Sequence, residues 1–172
     1  MIVAMAGLPG TGKSTLARTL ADELGGVVLS KDTLRAALFP AGFVEYSTEQ
    51  DDFVQDLMQR TAEYLLTKRP QLTVFFDGRT FSRAYQIDRV IALAERLGAS
   101  WRIIECVCPE ETARQRIEAA NEHPAKNRTF ELYLKVRAEF EQITRPKLTV
   151  DTSRAGDAAF SEARAYLRVD AR

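Results

Sequence analysis

The stretch Met5–Leu16, MAGLPGTGKSTL, follows an apolar run at Ile2–Ala6 and opens a helical pattern, and its reading decides the fold. Gly7, Gly12, Lys13 and Ser14 have the spacing G-x-x-x-x-G-K-[ST]. Glycine at such positions lets the backbone turn tightly and bring several N–H groups to phosphate oxygens. The helix that follows points its positive end at the same anion. The segment Gly7, Leu8, Pro9, Gly10, Thr11, Gly12, Lys13, Ser14 and Thr15 is therefore expected to cradle a nucleoside triphosphate. Lys13 is expected to reach the β- and γ-phosphates, and the Ser14 hydroxyl to ligate magnesium.

Working outward, apolar clusters alternate with helical periodicity over the whole chain, the signature of an α/β sheet with crossover helices. Strands are expected at Ile2–Ala6, Val27–Ser30, Leu72–Asp77, Ile103–Val107 and Leu148–Asp151. Their mostly continuous apolar character predicts parallel strands covered on both faces. Helices are expected at Lys13–Leu24, Thr33–Leu38, Glu49–Thr67, Arg83–Leu97, Glu110–Ala120, Phe130–Ile143 and Asp157–Arg168, with Gly25 and Gly98 as C-terminal stops. No repeat, low-complexity tract or Pro/Gly/Ser-rich linker divides the 172 residues, so one domain is expected.

Composition narrows the partners. Lys and Arg number 24 and Asp and Glu number 24, which gives no overall field to draw a polyanion or an anionic membrane. No segment approaches the roughly 20 apolar residues that span a bilayer. Cys106 and Cys108 are the only cysteines. Their spacing on one strand face makes a poor disulfide, so buried thiols in a reducing cytoplasm are the expectation. Oligomeric state leaves no mark in the sequence.

In a sheet of this kind, binding residues gather beyond the carboxyl ends of the strands. The second strand exits into Ser30-Lys31-Asp32-Thr33-Leu34-Arg35, where Asp32 and Arg35 are neighbours on one helical face. Asp32 or Ser30 can cap the helix; alternatively, Asp32 takes a proton from a substrate hydroxyl while Arg35 clamps the substrate. The third strand ends in Asp77, a carboxylate suited to magnesium beside Ser14, or else half of an Asp-Gly turn. Arg79 and Arg83 follow it, facing an acceptor or solvent.

The fourth strand leads to Cys108-Pro109-Glu110-Glu111, a well-specified helix start. Beyond it, Asn121–Arg128 lacks periodicity and reads either as a lid that brings Lys126 or Arg128 over the phosphates or as a surface loop. His123 there reads as exposed rather than catalytic. The helix from Phe130 reads as a core-packing surface helix with no chemical role. Asp151-Thr152-Ser153-Arg154 caps the last helix or borders an adenine ring through the Arg154 plane.

Taken together, GLPGTGKST, Ser30-x-Asp32-x-x-Arg35, the strand ending in Asp77, the Cys-Pro-Glu-Glu exit and Thr149-Val150-Asp151-Thr152-Ser153 resemble the P-loop kinases grouped around the polynucleotide 5′-kinase domain. Chloramphenicol phosphotransferase, gluconate kinase and the zeta-toxin kinases are further relatives in that group. The resemblance implies a P-loop NTPase fold: three α/β/α layers, a five-stranded parallel sheet ordered 2-3-1-4-5, and a helical lid near residues 109–130. It implies ATP and Mg2+ as cofactors, Asp32 as general base and Arg35 on the acceptor side. Lid arginines depart from the pattern, since Arg116 fills the first place while Ala120 and Asn121 stand where a second is expected. Arg128 or Lys126 would then substitute. The segment Phe39–Gln50 matches no relative.

The sequence therefore leads to an expected ATP- and Mg-dependent transfer of the γ-phosphate to a hydroxyl. Lys13, Asp32, Arg35, Arg116 and Arg128 are its catalytic candidates, Ser14 and Asp77 its metal candidates, and Asp32, Arg35 and Arg79 its acceptor-binding candidates. A small-molecule acceptor is favoured over a nucleic acid 5′-end, because an extended polynucleotide site calls for excess Lys and Arg. A nucleotide-dependent switch or an ATPase without an acceptor is the reading from another class.

Overall fold

The strand nearest the phosphate loop, β1 (Ile2–Ala6), is apolar at all five positions and buried at all five, as a strand covered on both faces must be. In the computed structural model, which describes residues 1–119, 129–154 and 157–168, it forms the middle of a parallel sheet. Its neighbours are β3 (Val74–Asp77) and β4 (Trp101–Val107), with β2 (Val27–Ser30) outside β3 and β5 (Leu148–Asp151) outside β4. The order is therefore β2-β3-β1-β4-β5, as the resemblance implied.

Alternation along the strands feeds two cores. Val3 and Met5 face α1 (Lys13–Leu24) and α7 (Ala158–Arg168), together with Phe75, Ile104 and Val150. Ile2, Ala4 and Ala6 face the opposite layer with Phe76 and Ile103, against α3 (Thr48–Lys68) and α4 (Ala84–Arg96). The layers are α/β/α, which is the P-loop NTPase arrangement. A smaller cluster of Ala113, Ile117 and Tyr133 joins α5 (Glu110–Glu118) to α6 (Phe130–Ala138). Among the described residues no helix is long and apolar enough to cross a membrane.

Several boundaries differ from the pattern-based expectation. Strand β3 starts at Val74 rather than Leu72, although the Thr73 carbonyl still accepts from Val27 N at 2.9 Å. Strand β4 starts at Trp101 rather than Ile103: Arg102 interrupts the apolar run, but its guanidinium lies 5.5 Å from the Tyr166 ring and its backbone pairs with Val3. The largest difference is α6, which stops at Ala138 rather than Ile143. Phe140 and Ile143 reach the core beneath α4, and Glu141 N donates to Ser82 O at 2.9 Å, so tertiary contacts take the chain out of the helix.

Helix α2 (Lys31–Leu38) begins directly at the end of β2. Gly78, just past β3, has φ +83° and lets the start of α2 approach: a Cβ there would stand 3.0 Å from Lys31 N. Gly78→Ala is expected to lower stability by about 1–3 kcal/mol through strain in the left-handed region and displacement of α2. Chemical denaturation monitored by circular dichroism checks it, and an unchanged midpoint would contradict it.

Candidate active site

The phosphate loop takes the shape that its glycines permit. Gly7, Gly10 and Gly12 have φ of +127°, +81° and +79°. Gly12 caps α1 without a side-chain hydrogen bond, so the N-cap residue itself places no side chain over the first amides of that helix. Lys13 Nζ donates to the carbonyls of Gly7 at 2.8 Å and Leu8 at 2.7 Å, which folds the ammonium back into the mouth of the loop. The loop is tied to its neighbours: Gly7 N donates to Thr80 O at 3.0 Å, and the Thr152 hydroxyl donates to Thr11 O at 2.9 Å. Arg116 spans the same junction, with Nη1 2.9 Å from Thr152 Oγ1 and Nη2 2.8 Å from Thr152 O. Arg116, the candidate for the first lid arginine, therefore lies beside the loop, joined to the exit of β5.

The β3 terminus supplies the metal candidate. Asp77 is 3% exposed, and its Oδ1 has no hydrogen-bond partner among the described residues. A buried carboxylate oxygen left unpaired is costly unless something answers it. Asp77 and the Ser14 hydroxyl line the same cleft. Two oxygen donors of this kind suit a hard divalent cation that takes its other ligands from phosphates and water, so the residues fit magnesium.

Opposite the loop, at the β2 exit, Ser30 Oγ accepts from Thr33 N and caps α2. That leaves Asp32 inside the first turn with its carboxylate uninvolved in capping. Asp32 Oδ1 lies 3.4 Å from Arg35 Nη1, the expected pairing, and 3.9 Å from Lys31 Nζ. Arg35 also forms an ion pair with Asp51 of α3, and its guanidinium lies 5.1 Å from the Tyr46 ring centre. Lys31 Nζ donates to Asp51 at 2.8 Å. Arg79 pairs with Asp52 at 2.7 Å, donates to the Tyr85 hydroxyl at 3.3 Å, and sits 6.0 Å from that ring. Burial lowers the Lys31 ammonium to about 8, the neighbouring Asp32 opposing the shift; burial lowers Arg35 as well.

These elements enclose a cleft of about 1040 Å³ that runs from Lys13 and Ser14 past Asp77 to Asp32, Arg35, Arg79 and Asp51. Strand register explains the convergence, because Ser30 and Asp77 are direct partners at the ends of β2 and β3. Other expected residues lie elsewhere. Arg154 forms an exposed ion pair with Glu162 at 2.8 Å and does not line the cleft. Arg83 lines it but is held by Glu139 and Glu141. Lys126 and Arg128 lie outside the described residues, as do Ala120, Asn121 and His123. Both cysteines are free thiols, and burial pushes Cys106 up to about 12.

Sequence reasoning missed Lys31, Tyr46, Asp51, Asp52 and Tyr85. It also missed α6, whose Leu132 and Val136 line the cleft despite its reading as a purely structural helix. The one available signal was the Asp51-Asp52 pair, which helix-dipole arguments absorb as ordinary first-turn acids.

A family model described as AAA domain, AAA_33, matches residues 2–143. No curated protein matches the sequence with significance. Among solved structures, a protein from Chloroflexus aurantiacus superposes with TM-score 0.76 at 21% identity, covering 97% of this chain and 96% of that one. A gluconokinase from Sinorhizobium meliloti superposes at 0.67, with 16% identity and coverage of 96% and 90%. The Mycobacterium tuberculosis APS kinase CysC, in complex with AMPPNP and APS, superposes at 0.65, with 17% identity and coverage of 96% and 94%. At these identities the likeness establishes a shared fold.

The lowered Lys31 titration gives a stability test. Between about 8 and the ordinary value of 10.5 the unfolded chain binds more protons at this site than the folded one, so stability rises with pH across that window. Relative to Lys31→Met, the wild type should gain up to about 1.4 kcal/mol per pH unit within it. Urea unfolding of both proteins from pH 7 to 10.5 measures the difference, and parallel curves would remove the buried-ammonium assignment.

Proposed function

Because this chain belongs to the AAA domain family whose model spans residues 2–143, we propose that it is an ATP- and magnesium-dependent kinase that transfers the γ-phosphate to a hydroxyl of a small molecule. The observation that carries this reading is that the lysine-bearing loop, the unpartnered Asp77 oxygen and the Asp32–Arg35 pair share one cleft. A switch or simple ATPase has no need of the third. Two proteins of the same fold, a gluconokinase and an APS kinase, act on small molecules according to their names, which supports the class. The cleft, at about 1040 Å³, is of the size that encloses small ligands.

In this reading the Gly7–Thr15 loop, through the amides not already bonded within the fold, and the Lys13 ammonium bind the β- and γ-phosphates and hold them in position with their charge neutralised. Ser14 and Asp77 would hold the magnesium ion, which when bound offsets charge on the phosphate oxygens. Asp32 accepts the proton of the acceptor hydroxyl as its oxygen bonds to the γ-phosphorus and the bridge to the β-phosphate breaks. Arg35 orients Asp32, and Arg79 shapes the acceptor wall with Asp52 and Tyr85. Arg116 keeps the loop in shape from behind through Thr152. Phosphoryl transfer needs positioning and charge neutralisation more than covalent help, so no nucleophilic side chain is required.

A screen with γ-labelled ATP against sugars, polyols, nucleosides, aminoglycosides, chloramphenicol and 5′-hydroxyl oligonucleotides tests this, with label in a small-molecule product expected. Hydrolysis that no acceptor stimulates, together with nucleotide-dependent partner binding, would instead favour the switch. Asp32→Asn is expected to lower kcat for transfer by about 10²–10⁴-fold while ATP affinity stays nearly unchanged. Unchanged turnover in that variant would remove Asp32 from the base role.

A further inference from the structure

Three cations, Lys31, Arg35 and Arg79, and two carboxylates, Asp32 and Asp51, line the acceptor end of the cleft, and a third carboxylate, Asp52, pairs with Arg79 without lining it. The two sets are not equally accessible. The cation side chains are 9%, 3% and 5% exposed, whereas the carboxylates are 14%, 25% and 32% exposed. Each cation is also engaged, Lys31 by Asp51, Arg35 by Asp32 and Asp51, and Arg79 by Asp52. The guanidinium groups of Arg35 and Arg79 further lie beside the Tyr46 and Tyr85 rings. All five of these lining groups border the cleft, but Asp32 and Asp51 are the more exposed, so what this wall offers a molecule in the cleft is chiefly oxygen acceptors already paired with the less exposed cations.

We propose that the acceptor, within the kinase reading above, is a polyhydroxylated compound that carries no anionic group and is either uncharged or cationic. A hydroxyl or ammonium can donate to the outward carboxylate oxygens while the ion pairs behind them stay intact. A carboxylate or phosphate on the acceptor meets like charge first. To reach Lys31 or Arg35 it must displace Asp32 or Asp51, leaving a partly buried carboxylate without its partner, which is strongly unfavourable. In this proposal Arg35 acts on the acceptor by setting Asp32 and Asp51 in place rather than by clamping it directly.

Two matched sets of acceptors of one size and three charges test this with the wild-type protein: glucose, glucosamine and glucuronate, and sorbitol, glucamine and gluconate. Transfer of labelled phosphate is expected to the neutral or amino member, with kcat/KM for the acid member lower by about tenfold or more. Preference for glucuronate or gluconate would overturn the proposal and leave the kinase reading standing. Transfer to none of the six would also overturn it, and the broader hydroxyl screen then decides the kinase reading separately. Asp51→Asn, with its fold checked by circular dichroism, should narrow the gap between acid and neutral members. An unchanged gap in a folded variant would count against the carboxylate wall.

Discussion

Parallel pairing of β3 with both β1 and β2 brings three strand ends to one edge of the sheet, and the rest of the site depends on that constraint. A parallel ladder fixes direction as well as neighbour, so the chain emerging from each strand must emerge on the same side. The phosphate loop leaves β1, Asp32 follows β2, and Asp77 closes β3. Each of the three carries a different chemical task, and Asp77, which lies inside β3, could not be moved by one residue along the strand without turning its side chain to the other face.

Charge burial is the second organising force. Taking Lys31, Arg35 and Arg79 out of water carries a desolvation penalty that paired carboxylates offset only when geometry is favourable. The pairs reach between elements: Asp51 of α3 meets both cations of α2, and Asp52 of α3 meets Arg79 beyond β3. A network of this type fixes the orientation of α2 relative to α3 more sharply than apolar packing does, because carboxylates and guanidinium groups accept few arrangements.

The strand order and the layers were legible because periodicity and apolar runs report burial directly, and the loop was legible because glycine and lysine spacing has few other uses. Asp32 was only half legible. Its alternative role as a cap is excluded by Ser30, a choice that rests on which of two adjacent oxygens the first-turn amide meets. The network around Asp51 and Asp52 was hidden because its partners lie on other elements, 16 or more residues away in sequence, and meet only through the fold. The early end of α6 was hidden for a similar reason: Phe140 and Ile143 keep a helical spacing but serve a core on another element. Arg116 had the right type and the right helix, but its partner, Thr152, lies 36 residues further on.

That last contact also sets an order of events. Thr152 joins Thr11 across 141 positions, and Arg116 reaches Thr152 from the middle of the chain. The loop is thus braced by the exit of an edge strand that is synthesised 141 residues later. Contacts this distant in sequence close late, since loop-closure entropy must be overcome before they contribute. During synthesis the nucleotide loop can form its own turn from local bonds such as Thr11 to Leu8, yet it gains its outer support only when β5 docks. The docking of β5 therefore couples completion of the fold to completion of the nucleotide site.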